Sequence, residues 1–216
     1  MIAKRLMDIF AATLLLVVFL PILLVVALIV RFTMSSPVIF RQRRPGLNGQ
    51  IFMLYKFRSM TNACDGSGKL MSDEQRSTRF GTLLRKCSVD ELPELLNVLK
   101  GDMSMVGPRP LLVEYLERYS PEQARRHEVK PGITGLAQIG GRQNLTFRQR
   151  IELDVFYVDH RSFWNDIKII LGTLPKVLGQ RGVLTQQEID DVDDIGLNPE
   201  SILGQKRTLS NQQGRD

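Results

Sequence analysis

An acidic pair, Asp90 and Glu91, is the part of the sequence best suited to chemistry. Ser88 with Glu91 three positions later predicts a helix start with a capping box, and Pro93 fits a first turn because its missing N–H costs little there. The pair would then lie at the positive end of a helix dipole, which favours the ionised form of both carboxylates. Acidic residues in a first turn are also ordinary helix stabilisers, so position alone does not make them catalytic.

Basic residues on either side of this pair make a chemical role more credible. They are Lys56, Arg58, Arg85 and Arg109. Two anionic side chains amid four cations predict a site for a metal-bound phosphate ester, because cations neutralise the charge of such a ligand. On a strand, Lys56 and Arg58 would share one face, although solvated edge charges are the commoner interpretation of that pattern. Arg142 ends the glycine-rich segment 130–142, which allows close approach of the backbone to a ligand but lacks the known phosphate-loop and dinucleotide patterns.

The charge distribution predicts anionic partners for most of the chain. The protein has 216 residues and a net charge of +6, yet residues 183–216 hold seven acidic and only three basic side chains. The rest is therefore strongly basic, which suits phospholipid headgroups, nucleotide phosphates or nucleic acid. Two cysteines give no disulfide framework, and the two histidines stand alone, which is more typical of structural histidines than of catalysts.

The segment from Ile9 to Val30 carries no charge and predicts a membrane-embedded helix. As a helix it would be about 33 Å long, enough to span a bilayer. Two features favour a re-entrant hairpin, although a single span stays open. Pro21 lies near its middle and breaks helical hydrogen bonding. Both flanks are basic, through Lys4 and Arg5 on one side and several arginines on the other, so both favour the cytoplasmic face.

The remaining patterns predict a mostly α fold with minor β structure, anchored at the membrane. Turn residues near Pro45-Gly46 and Asn48-Gly49 separate two extended segments, and residues 61–78 read as a loop. An apolar stripe that begins at Trp164 fits either a core helix or an amphipathic helix in the membrane interface. The predicted domains are a membrane helix over 1–35, a catalytic domain over 36–182 and an acidic, flexible tail over 183–216.

Several motifs in a fixed order make the sequence resemble the bacterial sugar transferases, that is, the small monotopic phosphoglycosyl transferases. The resemblance covers about residues 1–182. The motifs are Lys4-Arg5-Leu6-Met7-Asp8, Lys56-Phe57-Arg58-Ser59-Met60, Asp90-Glu91-Leu92-Pro93, the segment from Gly101 to Pro110, and Lys130-Pro131-Gly132-Ile133-Thr134-Gly135.

The resemblance implies transfer of a sugar 1-phosphate from a UDP-sugar to a polyprenyl phosphate such as undecaprenyl phosphate, with release of UMP. Asp90 would be the nucleophile that carries a covalent phosphosugar, and Mg²⁺ is expected beside it. Glu91 would assist acceptor attack or handle the metal or a proton. The reaction would start assembly of a glycan such as an exopolysaccharide, O-antigen, capsule or glycoprotein glycan.

The resemblance also implies which residues bind the substrate and where the protein acts. The family motif implies that the segment Pro108-Arg109-Pro110 holds the nucleotide side, whereas charge makes Lys56, Arg58 and Arg85, and more weakly Arg142, candidates for phosphate contacts. The family breaks its membrane helix at a Ser-Pro pair, whereas this chain has Leu20-Pro21. The expected location is the cytoplasmic face of the bacterial inner membrane. The expected partners are membrane lipids and not nucleic acid, and the sequence leaves open whether the protein forms a homodimer. Two alternatives are a membrane-tethered basic module that binds anionic lipid or nucleic acid, and a nucleotide-sugar hydrolase.

Overall fold

The computed structural model describes residues 2–34, 36–141, 145–178 and 193–196. Its helices are α1 (Ile2–Thr33), α2 (Asp73–Arg76), α3 (Arg79–Lys86), α4 (Glu94–Lys100), α5 (Pro121–Ala124), α6 (Leu136–Gly140), α7 (Phe147–Asp159) and α8 (Phe163–Leu178). Its strands are β1 (Ile39–Pro45), β2 (Ile51–Phe57), β3 (Ser104–Val106) and β4 (Gly132–Thr134). Short 3₁₀ helices cover Leu47–Gly49, Val89–Glu91, Val113–Arg118 and Arg125–His127. The prediction of a mostly helical protein with little β structure is confirmed.

The first sheet is an antiparallel hairpin of β1 and β2, as the turn residues predicted. Phe40 pairs with Lys56 and Arg44 pairs with Phe52, so Lys56 and Phe52 lie on the same face of the hairpin. On that face Leu54 is 2 % exposed and joins the main core. The hairpin therefore presents Lys56 from a rigid, partly buried surface.

The second sheet is a parallel pair of β3 and β4, in which Val106 pairs with Thr134. Glycines make this close pairing fit, because a Cβ at Gly107 would lie 2.3 Å from the carbonyl oxygen of Lys130, and one at Gly132 only 2.0 Å from the nitrogen of Gly107. Here glycine permits backbone to approach backbone. At Gly132, the interpretation of the glycine-rich segment 130–142 as a ligand approach is replaced by a packing role.

Helix α1 packs on the rest of the protein along one stripe and exposes most of its apolar surface. Ala12 lies in the main core beside Leu95, whereas Val30 packs in a second cluster with Phe57 and Leu84. Both halves of the helix therefore contact the same body. It is the one helix within the described ranges that is long and apolar enough to cross a membrane, and Pro21 lies inside it.

Charged residues at the start of α1 fix the helix to the body. Asp8 is 3 % exposed and accepts hydrogen bonds from the Ser104 hydroxyl (2.9 Å) and the Met105 amide (3.0 Å). Arg5 donates to the carbonyls of Val98 (2.6 Å) and Leu99 (2.9 Å), which lie in the last turn of α4. Because the last carbonyls of a helix have no partner within it, Arg5 caps α4.

A buried amide, Asn97, joins α4 to β2. Its side chain accepts a hydrogen bond from the Tyr55 amide (3.1 Å) and donates one to the Met53 carbonyl (2.7 Å). These bonds satisfy backbone groups on β2 and fix the helix against the strand. As a result, the start of α4 faces Lys56.

Part of the predicted tail packs on the body. Within residues 193–196, the side chain of Ile195 packs against the cluster of Tyr115, Phe147 and Ile151, and the Gly196 carbonyl accepts a hydrogen bond from Arg118 (3.2 Å). The rest of the tail from residue 183 lies outside the described residues.

Candidate active site

Glu91 is the centre of a network of charges at the surface of the body. One of its carboxylate oxygens, Oε1, accepts a hydrogen bond from Lys56 Nζ at 2.9 Å and another from Arg109 Nη2. Its second oxygen lies 3.4 Å from Arg109 Nη1. Lys56 comes from β2 and Arg109 from the loop after β3, so residues distant in sequence meet at Glu91.

Asp90, the neighbouring carboxylate, is the unpaired member of the acidic group. It is 7 % exposed, and in the described part of the chain no other side chain donates a hydrogen bond or forms an ion pair with it. Burial raises the pKa of Asp90 to about 6, and the negative charge of Glu91 adds to this effect. Asp90 can therefore act as a nucleophile or ligand once a cation approaches it.

The pKa of Glu91 moves the other way. Burial alone would raise it, but the charges of Arg109 and Lys56 outweigh burial and hold the pKa of Glu91 well below its usual range. Glu91 is therefore ionised at neutral pH, which leaves it no proton to donate. The same carboxylate raises the pKa of the Arg109 guanidinium.

A third carboxylate, Glu94, belongs to this site, and sequence reasoning missed it. Glu94 is 3 % exposed and lies 3.2 Å from Lys56 Nζ. Burial raises its pKa to about 7, with a further contribution from the charge of Glu91. Its position four residues after Asp90 was the available signal, since residues four apart share one face of a helix.

Two buried prolines hold Arg109 at the surface. Pro108 and Pro110 are buried, whereas the side chain of Arg109 is 45 % exposed and points to Glu91. Proline fixes its own φ angle and restricts the residue before it, so the tripeptide has few backbone conformations. The sequence motif thus presents a guanidinium from a stiff loop.

Arg58 and Arg85, the other predicted basic residues that the structure describes, bind groups other than the acidic pair. Arg58 is 7 % exposed and donates to the Pro37 carbonyl (2.8 Å) and the Asn62 side chain. Arg85 donates to the Ser77 hydroxyl, while its Nη1 is buried and has no partner in the described part of the chain. Arg142 lies outside the described residues.

The predicted capping box is wrong. Ser88 adopts a left-handed backbone conformation with φ of 55° and caps nothing, and a 3₁₀ helix over Val89–Glu91 precedes the α-helix that begins at Glu94. The Glu91 side chain cannot reach back to Ser88, because Lys56 and Arg109 hold it. The predicted stabilisation of ionised Asp90 by a helix dipole is also wrong in its net effect, since burial dominates.

The carboxylates of this site suit Mg²⁺ better than a metal ion that takes all its ligands from protein side chains. Among the residues that the structure describes, no three His, Cys, Asp or Glu side chains converge as a metal site. Mg²⁺ commonly takes one or two carboxylates and completes its shell with substrate phosphates and water. Asp90, which has no competing partner, suits such a site.

Comparisons with known proteins match this chain to sugar transferases. A family model described as bacterial sugar transferase matches residues 1–180. An uncharacterized sugar transferase, EpsL, from Bacillus subtilis is 56 % identical over 183 residues, which cover 85 % of this chain and 91 % of that protein.

Two further relatives carry more specific names. A UDP-glucose:undecaprenyl-phosphate glucose-1-phosphate transferase from Caulobacter vibrioides is 44 % identical, over 81 % of this chain and 69 % of the relative. The exopolysaccharide production protein PSS from Rhizobium leguminosarum is 43 % identical, over 81 % of this chain and 94 % of the relative.

Proposed function

The chain belongs to the bacterial sugar transferase family, and on that premise we propose that it transfers a sugar 1-phosphate from a UDP-sugar to a polyprenyl phosphate, with release of UMP. The name of the Caulobacter vibrioides relative supports this donor and acceptor. The name of the Rhizobium leguminosarum relative supports a role in exopolysaccharide production. The protein is thus an enzyme of the sugar-1-phosphate transferase type.

One observation supports a covalent route most strongly: Asp90 is unpaired beside a carboxylate that two cations neutralise. A carboxylate oxygen of Asp90 attacks the phosphorus that carries the sugar, the bond to the bridging oxygen breaks, and UMP leaves with that oxygen. A phosphate oxygen of the lipid then attacks the same phosphorus, and the Asp90 carboxylate is released. Splitting one transfer into two displacements is typical of nucleophilic catalysis.

The other residues of the site neutralise the charge of the donor phosphates and orient the groups that bind them. Arg109 faces the site from its stiff loop and suits a donor phosphate, because its planar guanidinium can bind two oxygens at once. Glu91 is ionised, so the role that fits it best is to hold Lys56 and Arg109 in place. Bound Mg²⁺, held by Asp90 and donor phosphates, would withdraw charge from the diphosphate.

A simple assay separates transfer from hydrolysis. With purified protein, Mg²⁺ and UDP-glucose, we expect continuous UMP release only when undecaprenyl phosphate is added, because the lipid must clear the phosphosugar from Asp90. Many turnovers without lipid would instead identify a nucleotide-sugar hydrolase. Other UDP-sugars in the same assay identify the natural donor.

A membrane position in which α1 does not cross the bilayer fits both the contacts and the chemistry. Both halves of α1 pack on one body, and the α1 surface turned away from it is apolar. Helix α8 exposes Trp164, Leu171 and Leu174 by 59–72 %, which suits a helix in the interface. We propose that α1 enters and leaves by the cytoplasmic face, with Pro21 as its weak point, and so holds Asp90 at headgroup depth.

Cysteine labelling tests this topology. On a background of Cys64→Ser and Cys87→Ser, single cysteines at Ile2 and Phe32, which are 80 % and 84 % exposed, are treated with a membrane-impermeant maleimide. We expect both to react in inside-out vesicles and neither to react in intact cells. Leu20→Cys is the matched control and should be protected from both sides. Labelling of Ile2→Cys from outside would contradict re-entry.

A further inference from the structure

A buried ion pair, Arg126 with Asp154, lies behind the candidate active site. Arg126 belongs to the 3₁₀ helix Arg125–His127 and Asp154 to α7. Arg126 Nη2 and Nε lie 2.6 and 3.1 Å from Asp154 Oδ2, and the two side chains are 1 % and 3 % exposed. Arg126 Nη1 also donates to the Tyr119 hydroxyl at 3.2 Å. Every nitrogen of this guanidinium therefore has a partner.

The same guanidinium reaches the loop that carries Arg109. Arg126 Nη2 donates a second hydrogen bond, of 2.7 Å, to the backbone carbonyl of Arg109. The side chain of Arg109 in turn binds Glu91, which is adjacent to Asp90. A continuous chain of contacts thus runs from the buried ion pair to the acidic pair at the surface.

The Pro108 carbonyl accepts a hydrogen bond from the Gly132 amide at 3.0 Å, which anchors one end of the loop to β4, and Arg126 anchors the loop at Arg109 itself. Pro108 and Pro110 have no N–H, so the residues on either side of Arg109 donate no backbone hydrogen bond. The Arg126 donor is charged, which makes its bond to a carbonyl stronger than a neutral one. A shift of the Arg109 backbone would carry the guanidinium with it, away from the place where a donor phosphate binds.

We propose that Arg126, fixed by Asp154, is a positioning residue that sets the place of Arg109 for the UDP-sugar. This inference rests on the proposed function, because it takes Arg109 as a contact of the donor. Arg126 does not touch the substrate, since it is buried and acts through the main chain of Arg109.

A purely structural role for the pair makes a different prediction. Replacing both members of a buried ion pair with apolar residues of similar size is often neutral or stabilising, because the cost of burying two charges disappears. Arg126→Met with Asp154→Leu should therefore leave a folded protein that has lost the ion pair, the bond to the Arg109 carbonyl and the bond to the Tyr119 hydroxyl.

We expect this double variant to unfold at or above the wild-type temperature and to show a KM for the UDP-sugar raised about tenfold, with kcat changed much less. The matched control is Arg125→Met with Asp159→Leu, which removes a partly exposed ion pair between the same two helices, together with the contacts of Arg125 to Glu122 and Glu128. Its KM should equal the wild-type value. If the first double variant does not fold, Arg126→Lys keeps the charge beside Asp154 and should raise KM similarly, because one ammonium group cannot reproduce the fork.

A double-mutant cycle with Arg109→Ala decides the point. If the ion pair acts through Arg109, the Arg126→Met/Asp154→Leu change has no further effect on KM once Arg109 is alanine. Equal effects in both backgrounds, or an unchanged KM in a folded variant, would overturn the inference. Absence of donor-dependent UMP release in the wild-type protein would instead overturn the proposed function.

Discussion

Replacing Asp90 with asparagine lowers the rate of sugar-phosphate transfer by about 10³-fold or more, as loss of a nucleophile does in other enzymes. An amide of the same shape cannot attack phosphorus, and it leaves Lys56, Glu91 and Arg109 with their own partners. The measurement is UMP release by purified protein with UDP-glucose, Mg²⁺ and undecaprenyl phosphate. Membrane association should not change.

The stability of this variant has a definite sign. Because the pKa of Asp90 is raised from 3.8 to about 6, its charge disfavours the folded state at neutral pH. Asp90→Asn should therefore be at least as stable as the wild type. The advantage is complete above about pH 6 and shrinks as the pH falls, until it is lost below pH 3.8, where Asp90 is protonated in both the folded and the unfolded wild type. Loss of activity together with loss of fold would contradict this account.

Asp159→Asn is the matched control, since it makes the same chemical change at an exposed carboxylate outside the site. It should keep wild-type activity. Mass spectrometry must show that the new asparagine in the Asp90→Asn protein has not reverted to aspartate by deamidation. An intact Asp90→Asn protein that keeps more than about a tenth of the wild-type rate would refute the assignment of the nucleophile, because loss of a nucleophile costs far more than tenfold.

Replacing Lys56 with methionine has the second largest expected effect, on both stability and rate. Lys56 is 18 % exposed and binds Glu91 at 2.9 Å and Glu94 at 3.2 Å. Above about pH 7, where Glu94 is ionised, loss of Lys56 leaves the Glu94 carboxylate buried without a cation in contact, and removal of one partner from a buried ion pair costs about 3 kcal/mol. We expect the free energy of unfolding to fall by about that amount and the transfer rate to fall about 100-fold.

A second substitution separates these two effects. In Lys56→Met/Glu94→Gln the buried charge is absent, so most of the lost stability should return, whereas the transfer rate should stay low. Denaturant unfolding in detergent measures the first and UMP release the second. Lys69→Met, at an exposed loop position, is the control and should change neither. Wild-type stability of Lys56→Met alone would show that Lys56 does not stabilise the network around Glu91.

Local patterns predicted the elements that present the site, but not its internal contacts. Turn residues at Pro45-Gly46 and Asn48-Gly49 predicted the hairpin that carries Lys56, because those residues favour turns wherever they occur. The prolines beside Arg109 restrict the backbone of its loop in the same local way. Such features depend on backbone preferences that act over a few residues.

The side-chain contacts within the site depend on long-range packing, which local sequence patterns do not predict. Ser88 and Glu91 have the spacing of a capping box, yet Glu91 binds side chains 35 and 18 residues away, and that choice depends on the folded body. The titration of Asp90 depends on its burial, which no spacing reveals. Arg126 and Asp154 lie 28 residues apart in ordinary helical surroundings, so nothing in the sequence marked them as a pair.

The central claim is that Asp90 carries the sugar phosphate covalently, and trapping that species tests it directly. The protein is mixed with UDP-sugar and Mg²⁺ without lipid acceptor, quenched, digested and analysed by mass spectrometry. We predict a peptide containing Asp90 whose added mass equals one sugar phosphate, which disappears when undecaprenyl phosphate is added and is absent from Asp90→Asn. An active protein that never shows the adduct, and whose kinetics require donor and lipid to bind together before UMP leaves, would contradict the claim.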